Sequence, residues 1–450
     1  MDSKFIGKCY DLNDLGQGLV NYDNNIIVVD GLLIDEEAEI IITKKTHKYY
    51  LGRIHKLIKT SDNRNHYPCS HKCGGCDLIH MSYPSQIDYK NLLIKEMFKD
   101  YNVSSIIPAE SNNYYRNKVI YALDYKNNSV YFGLYEENTH TVINTSSCLV
   151  NNKLSKNIII KLKEYLLKNN ITSIKYILMR FNSFNEILLG LITNQDLIKE
   201  DELITLLKDD VKSIVINYND FSTNKILGDN NKVIYGDNII QEKIGDYFFN
   251  ISLNSFFQIN YSQMIKLYNL IKDSNLISKN DILLDAYSGT STIGIYLSDK
   301  TKEVISVESN TSSYLNALDN VNINKVNNVK CINDDCTNYI STSKDNFDIV
   351  VMDPPRSGCS RAFLDALINK KVEKLIYVSC NPKSLKRDLN ILKEYYDILS
   401  IQPVDMFPNT LHIETVTLLQ RKYIDDRLNC SCPNSISGNC LNSSSGNKAQ

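Results

Sequence analysis

Residues 281–294 read DILLDAYSGTSTIG, an apolar strand that runs into a turn of small residues and then into a helical segment. Three further apolar runs follow, EVISVE (303–308), FDIVVMD (347–353) and KLIYVS (374–379), each separated from the next by an amphipathic stretch. Strands alternating with helices predict a parallel, Rossmann-like α/β sheet, because parallel neighbours need crossover connections. Ligands of such sheets bind beyond the carboxyl ends of the strands. The turn at 285–294 lies at such an end, and its small residues let backbone approach a nucleotide-like ligand near a helix N-terminus. Glu308 ends the next strand, where a carboxylate can accept bonds from ribose hydroxyls. The turn departs from GxGxxG, which argues against a dinucleotide. Asp335, or equally its neighbour Asp334, is a candidate partner for an adenine amino group.

Outward from this region the chain divides. Residues 1–65 carry short β-branched runs, LVNY (19–22), NIIVVD (25–30) and AEIIIT (38–43), separated by Asp, Asn and Gly turns. That spacing predicts a small β-barrel, with Gly16 and Gly18 at a tight bend. Residues 66–250 open on Cys69, Cys73 and Cys76 and continue through strands such as SVYFGLY (129–135), YILMRF (176–181) and EILLGLIT (186–193), predicting an α+β domain. Residues 251–422 form the α/β domain. Residues 423–450, rich in Ser, Asn and Gly, are predicted to be disordered for want of apolar groups to offset ordering entropy.

With 450 residues, 43% hydrophobic and 23% charged, the chain has a globular composition and room for several domains. Its net charge of −2 supplies no general attraction for a polyanion, so a nucleic-acid partner must be held by local Lys/Arg patches. The N-terminus lacks a basic head followed by an apolar stretch, and no apolar run reaches bilayer-spanning length, which predicts a cytoplasmic protein without membrane contact. Twelve cysteines in such a chain point to buried, catalytic or metal-binding roles before disulfides. Cys9, Cys331, Cys336 and Cys359 read as ordinary core residues.

Three segments carry the chemistry. DPPRSG (353–358) ends one strand, SCNP (379–382) ends the next and should project Cys380 over the same face, and DMFPNTLHIE (405–414) delivers Glu414 on a further strand. Together with SFFQIN (255–260), the DAYSGTSTIG turn, YRNK (115–118) and CGGC (73–76), they resemble the RNA uracil-C5 methyltransferase family. The resemblance covers all but the last 28 or so residues. It implies S-adenosylmethionine as cofactor, Cys380 as the nucleophile that adds to C6 of uracil, and Glu414 as the general base that removes the C5 proton. The chemistry needs both groups: C5 is a poor nucleophile until a thiolate at C6 makes it an enolate, and the C5 proton must leave before the thiolate can. By resemblance, Gln258 and Asp353 contact the cofactor or uracil, and Tyr287 and Thr292 line the cofactor pocket.

The same likeness makes the barrel a TRAM domain, an OB-like module, and makes Cys69, Cys73, Cys76 and Cys148 ligands of a [4Fe–4S] cluster. Four thiolates also suit zinc. Only three residues separate Cys69 from Cys73, where the family usually carries a longer spacer. Lys44, Lys45, Lys48, Tyr49, Tyr50 and Arg53 interleave charge with aromatic faces, as single-stranded RNA requires. Barrel and cysteine set together resemble the branch that methylates 23S rRNA. A tRNA enzyme is the alternative, and a noncatalytic iron–sulfur RNA-binding protein is a third reading, against which the presence of Cys380 and Glu414 argues. The target uracil should lie in a loop or be flipped from its stack, since stacking hides C6.

Overall fold

The computed structural model describes residues 4–422 apart from 67, 68, 70–72, 138, 146, 147 and 198. The predicted disorder of 423–450, with Cys430, Cys432 and Cys440, lies outside the described residues.

Five strands close the N-terminal barrel: β1 (Lys4–Leu12), β2 (Gly18–Tyr22), β3 (Asn25–Val29), β4 (Glu37–Lys45) and β5 (Tyr50–Lys59), in the order β1-β2-β3-β5-β4. The three apolar runs read from the sequence are β2, β3 and β4. The other two strands, KFIGKCYDL and YLGRIHKLIK, interleave charges with apolar residues, which masks them. Phe5, Cys9, Val20, Ile27, Val29, Ala38 and Ile40 fill the interior. A Cβ on Gly18 would lie 2.6 Å from the Leu32 carbonyl oxygen, so only glycine fits there. Behind β3, fully buried Glu36 accepts from Arg64 Nε and Nη2 at 2.6 Å each and from the amides of Leu33 and Ser61, closing the base of the barrel.

The central sheet has seven strands: β6 (Lys118–Lys126), β7 (Ser129–Tyr135), β8 (Val142–Asn144), β9 (Ile174–Phe181), β10 (Ile187–Thr193), β11 (Ser213–Tyr218) and β12 (Asn230–Tyr235), ordered β12-β11-β10-β9-β6-β7-β8. Leu191 and Ile177 face a core capped by α2 (Ser155–Lys168) and α3 (Glu200–Leu207), whereas Leu188, Ile192 and Leu178 face the C-terminal domain. The hairpin β13 (Ile239–Ile244) and β14 (Tyr247–Ser252) completes that junction: the Phe248 and Asn250 amides donate to Asn324 and Asn320.

The C-terminal sheet contains β15 (Ile282–Ala286), β16 (Glu303–Glu308), β17 (Val329–Asn333), β18 (Ile349–Met352), β19 (Lys374–Ser379), β20 (Tyr396–Val404) and β21 (Glu414–Arg421), ordered β17-β16-β15-β18-β19-β21-β20. The first five are parallel, as predicted. Successive residues point to opposite buried faces: Leu284, Val350 and Leu375 pack on one side, Leu283, Ile349 and Ile376 on the other. Helices α4 (Tyr261–Lys272), α5 (Thr292–Leu297), α6 (Thr311–Ile323), α7 (Cys336–Thr342), α8 (Arg361–Asn369) and α9 (Pro382–Leu392) complete the domain. The last two strands depart from the all-parallel expectation. β21 pairs antiparallel with both β19 and β20, because residues 405–413 return the chain without a crossover helix.

Helix α1 (Tyr83–Met97) begins just after the cysteine segment but belongs to the C-terminal domain. Its Ile94, and Phe98 and Ile106 beyond it, join the core under β18 and β19. The Ser104 and Ile107 amides donate to Ile401 and Pro403 on β20. Placing all of 66–250 in a central module therefore does not hold for 83–107. No helix among the described residues is long and apolar enough to cross a membrane.

Candidate active site

The turn after β15 is built around one buried carboxylate. Asp285 Oδ2 accepts from the Gly294 amide at 3.0 Å and from Ser306 Oγ at 3.2 Å, tying the start of α5 to β15 and β16. Burial pushes its carboxyl up to about 7. A Cβ on Gly294 would lie 2.5 Å from Ser306 Oγ, so helix and strand approach this closely only at glycine. Tyr287 takes a left-handed backbone, φ +61°, its amide donating to Cys336 Sγ and its ring edge-on to Phe363. Glu308 accepts from the amides of Gly289 (2.9 Å) and Asn310 (2.7 Å), which aims its carboxylate along the rim of the turn. Thr292 Oγ1 bonds Tyr268 OH at 2.8 Å.

A cavity of about 510 Å³ opens over these residues. Tyr287, Gly289, Thr292, Glu308, Gln258, Asp353, Cys380 and Glu414 all line it. The predicted site residues thus share one space, except Asp335. Its Oδ1 caps α7, accepting from the amides of Thr337 and Asn338, and it lines a neighbouring cavity with Tyr287. Asp334 holds Asn338 Nδ2 at 2.9 Å.

Reversal of the last strand brings the two reactive groups together. Cys380 follows the end of β19, Glu414 begins β21, and Ser379 is registered opposite Thr415. Glu414 is 1% exposed, and its Oε1 has no hydrogen-bond partner among the described residues. Burial first, and then the Asp353 charge, raise its carboxyl well above the usual range, while Arg356 opposes them. Asp353, at 3.4 Å from Gln258 Nε2, is itself pushed up to about 7 by burial. Burial and the charges of Glu414 and Asp353 push the Cys380 thiol up to about 11, again opposed by Arg356.

The loop 405–413 is clamped from α1. Lys90, fully buried, donates to Asp405 Oδ1 at 2.6 Å and to the carbonyls of Phe407 and His412 at 3.2 Å each. Tyr83 OH donates to Asp405 Oδ2, and Gln86 exchanges bonds with the side chain and amide of Asn409, whose φ is +67°. Sequence reading quoted this loop but assigned no role to Lys90, Gln86, Arg356 or His412. Lys90 lies 315 positions before Asp405, and no local pattern signals such a pair.

Cys69, Cys73, Cys76 and Cys148 converge on a second place. Burial pushes the Cys76 thiol up to about 12, with the charges of Cys148, Cys73 and Cys69 adding to the rise and Arg116 opposing it. Cys73 is raised by burial, then by Cys148 and Cys69. Among the described residues no group of three or more His, Cys, Asp and Glu side chains is set to hold a metal ion. On the barrel, Lys45 lies over the Tyr50 ring at 5.3 Å and Tyr49 is exposed. Asp14 and Leu15, from the β1–β2 loop, line a further cavity of about 320 Å³ that also reaches Cys380.

Comparison with known proteins agrees with this geometry. An uncharacterized RNA methyltransferase of Clostridium tetani is 35% identical over 430 residues, covering 90% of this chain and 93% of its own length. Another, from Oceanobacillus iheyensis, is 33% identical and covers 92% and 95% respectively. Among solved structures, the Pyrococcus abyssi tRNA (uracil-54, C5)-methyltransferase in complex with S-adenosyl-L-homocysteine superposes with a TM-score of 0.77 at 28% identity, covering 92% of this chain and 99% of that one. The sequence profile of one family spans residues 82–422, from the onset of α1 to the end of the described chain, and the chain belongs to that family, the tRNA (Uracil-5-)-methyltransferases.

Proposed function

We propose that the protein methylates C5 of a uracil in folded RNA, with S-adenosylmethionine as cofactor, Cys380 as nucleophile and Glu414 as general base. The observation that carries this reading is the single cavity that runs from the Tyr287–Glu308 rim to a thiol beside a buried carboxylate with a free oxygen. The cofactor's place is supported by Gly289, Thr292 and Glu308 lining the cavity and by the S-adenosyl-L-homocysteine bound in the P. abyssi relative. S-Adenosylmethionine supplies a sulfonium-bound methyl group, the electrophile that C5 requires.

The chain's own residues do the rest. Cys380 sulfur bonds C6, and the C5–C6 π pair moves towards C4–O4 as an enolate. Gln258 and Asp353, which line the same cavity as the thiol, hold the ring in this reading. Once C5 carries methyl and hydrogen together, Glu414 takes the proton, the π bond re-forms and the Cys380 thiolate leaves. A carboxylate of raised pKa is a stronger base than an exposed one, which suits this carbon acid. Cys380→Ala is expected to abolish methyl transfer while leaving the circular dichroism spectrum unchanged; retained turnover sinks the covalent mechanism.

We assign 23S rRNA as substrate on the likeness of barrel and cysteine set to that branch. The P. abyssi structure favours a second reading, tRNA. Its match leaves only 8% of this chain uncovered, less than residues 1–65, so the barrel does not separate the two substrates. Labelled methyl transfer to unmodified 23S rRNA and tRNA pools, followed by nucleoside mass spectrometry, decides: 5-methyluridine in 23S rRNA supports the first, in tRNA the second.

Cys69, Cys73, Cys76 and Cys148 are proposed to hold a [4Fe–4S] cluster, supported by four thiols close enough to act on one another's charge. The role is structural, since methyl transfer needs no electron. Iron and sulfide analysis of anaerobically purified protein tests it, and zinc alone overturns it.

A further inference from the structure

Three cavities meet at one side chain. Arg356 lines the cavity over the cofactor turn, the cavity between barrel and α1, and a third of about 660 Å³ beside Gly74, Gly75 and Arg116. Cys380 lines the first two. The arginine is held from both ends. Asn381, the residue after the thiol and the cap of α9, donates Nδ2 to the Arg356 carbonyl at 2.9 Å. At the far end, Arg356 Nη2 lies 2.8 Å from His412 Nε2. Arginine offers only donors, so His412 Nε2 accepts, and the ring is neutral. Burial and the Arg356 charge both lower the His412 pKa, which agrees. His412 is fixed in turn by the Lys90 bond to its carbonyl and by its ring edge-on to Phe407.

We infer that Arg356, tethered by neutral His412 and by Asn381, is the positioning residue that stabilises the Cys380 thiolate when it forms. This deepens the function proposed above and rests on it. On ionisation the S–H bond breaks, the proton leaves to solvent through the cavity, and the electron pair stays on sulfur. The charged groups around the thiol are otherwise unhelpful. Glu414 and Asp353 oppose a second negative charge, and Asp14 and Lys383, 3.3 Å apart in the adjoining cavity, offset each other. Arg356 is the cation that lowers both Cys380 and Glu414. It is exposed, so solvent screens its field until RNA covers it. His412 prevents it from swinging out to solvent.

The test uses the thiol alone and needs no RNA. Cys380 alkylation by iodoacetamide, which forms an S–C bond and releases iodide, is followed by peptide mass spectrometry from pH 7 to 10.5 in the full chain. Arg356→Gln is expected to lower the Cys380 rate about 3- to 10-fold at a fixed pH, corresponding to a midpoint up by about half to one unit. Arg356→Lys should largely restore it, and His412→Phe should fall between. A Cys380 profile in Arg356→Gln that overlays the wild type overturns the inference. So does an equal slowing in Arg356→Lys and Arg356→Gln, which marks a structural role that does not depend on the charge. Methyl transfer by the wild-type protein is scored separately, so failure here is distinct from failure of the proposed function.

Discussion

Glu414 shows what a single buried side chain decides. It lines the cavity and its Oε1 is buried without a hydrogen-bond partner among the described residues, so replacing it with an amide changes proton affinity with little change in shape. Glu414→Gln should let Cys380 add to the ring but block loss of the C5 proton, so a denaturation-stable protein–RNA adduct accumulates while product falls by at least about 100-fold. Gel-shifted adduct on denaturing electrophoresis is the readout; its absence with wild-type RNA affinity contradicts the base assignment. Asp285 makes a different prediction. Its carboxyl is raised from an ordinary 3.8 to about 7, so the folded state retains a proton that the unfolded chain gives up. The favourable contribution is complete below about pH 4 and is lost as pH rises to about 7, at most about 4 kcal/mol. Asp285→Asn should therefore gain stability relative to wild type across that window, measured by thermal unfolding at pH 5 and pH 8. Cys380 and Glu414 were legible because each sits inside a run of distinctive neighbours. His412 lay in the same run without a role, because only its 2.8 Å approach to Arg356 gives it one.

At the scale of elements, the loop between β20 and β21 leads into Glu414 and is held by α1. Removing one partner of the fully buried Lys90–Asp405 pair leaves an uncompensated charge, so Lys90→Ala should cost about 3–5 kcal/mol. Denaturant unfolding checks this, and a loss below about 1 kcal/mol contradicts the clamp. The parallel strands were readable because both faces are buried and the runs are continuously apolar. β20, reading YDILSIQPV, was missed: it is the last strand of the sheet, polar residues interrupt its apolar run, and its outer edge is bridged by residues 103–107. The reach of α1 from just after the cysteine segment into the C-terminal core was equally hidden, since periodicity reports which residues are buried and says nothing of what buries them.

For the molecule as a whole, the barrel is joined to the C-terminal domain through a small apolar cluster, in which Leu12 and Leu33 meet Leu78, Tyr89, Leu93 and Leu411, and through a few polar contacts. The Gly16 amide donates to Tyr89 OH at 2.8 Å, Tyr89 OH donates to the Asn13 carbonyl, and Asp14 meets Lys383 at 3.3 Å. The last pair is exposed and adds little stability. Gly16 has φ +71°, and a Cβ there would lie 2.7 Å from Leu78 Cδ2. Gly16→Val should loosen the barrel from α1 without unfolding either, seen as faster proteolysis between 60 and 82 with an unchanged C-terminal fragment. A wild-type cleavage pattern contradicts this view of the joint.

The antiparallel insertion of β21 has a mechanical meaning. A parallel strand there would begin at the opposite edge of the sheet, some six residues away from the thiol. Running backwards, it sets Glu414, the base proposed above, beside the strand end that carries Cys380, with Ser379 and Thr415 paired on the adjoining rung of the ladder. Ladder bonds leave such neighbours no freedom to slide. In the proposed reaction the thiol and the carboxylate are thus presented at a fixed gauge, set by the ladder.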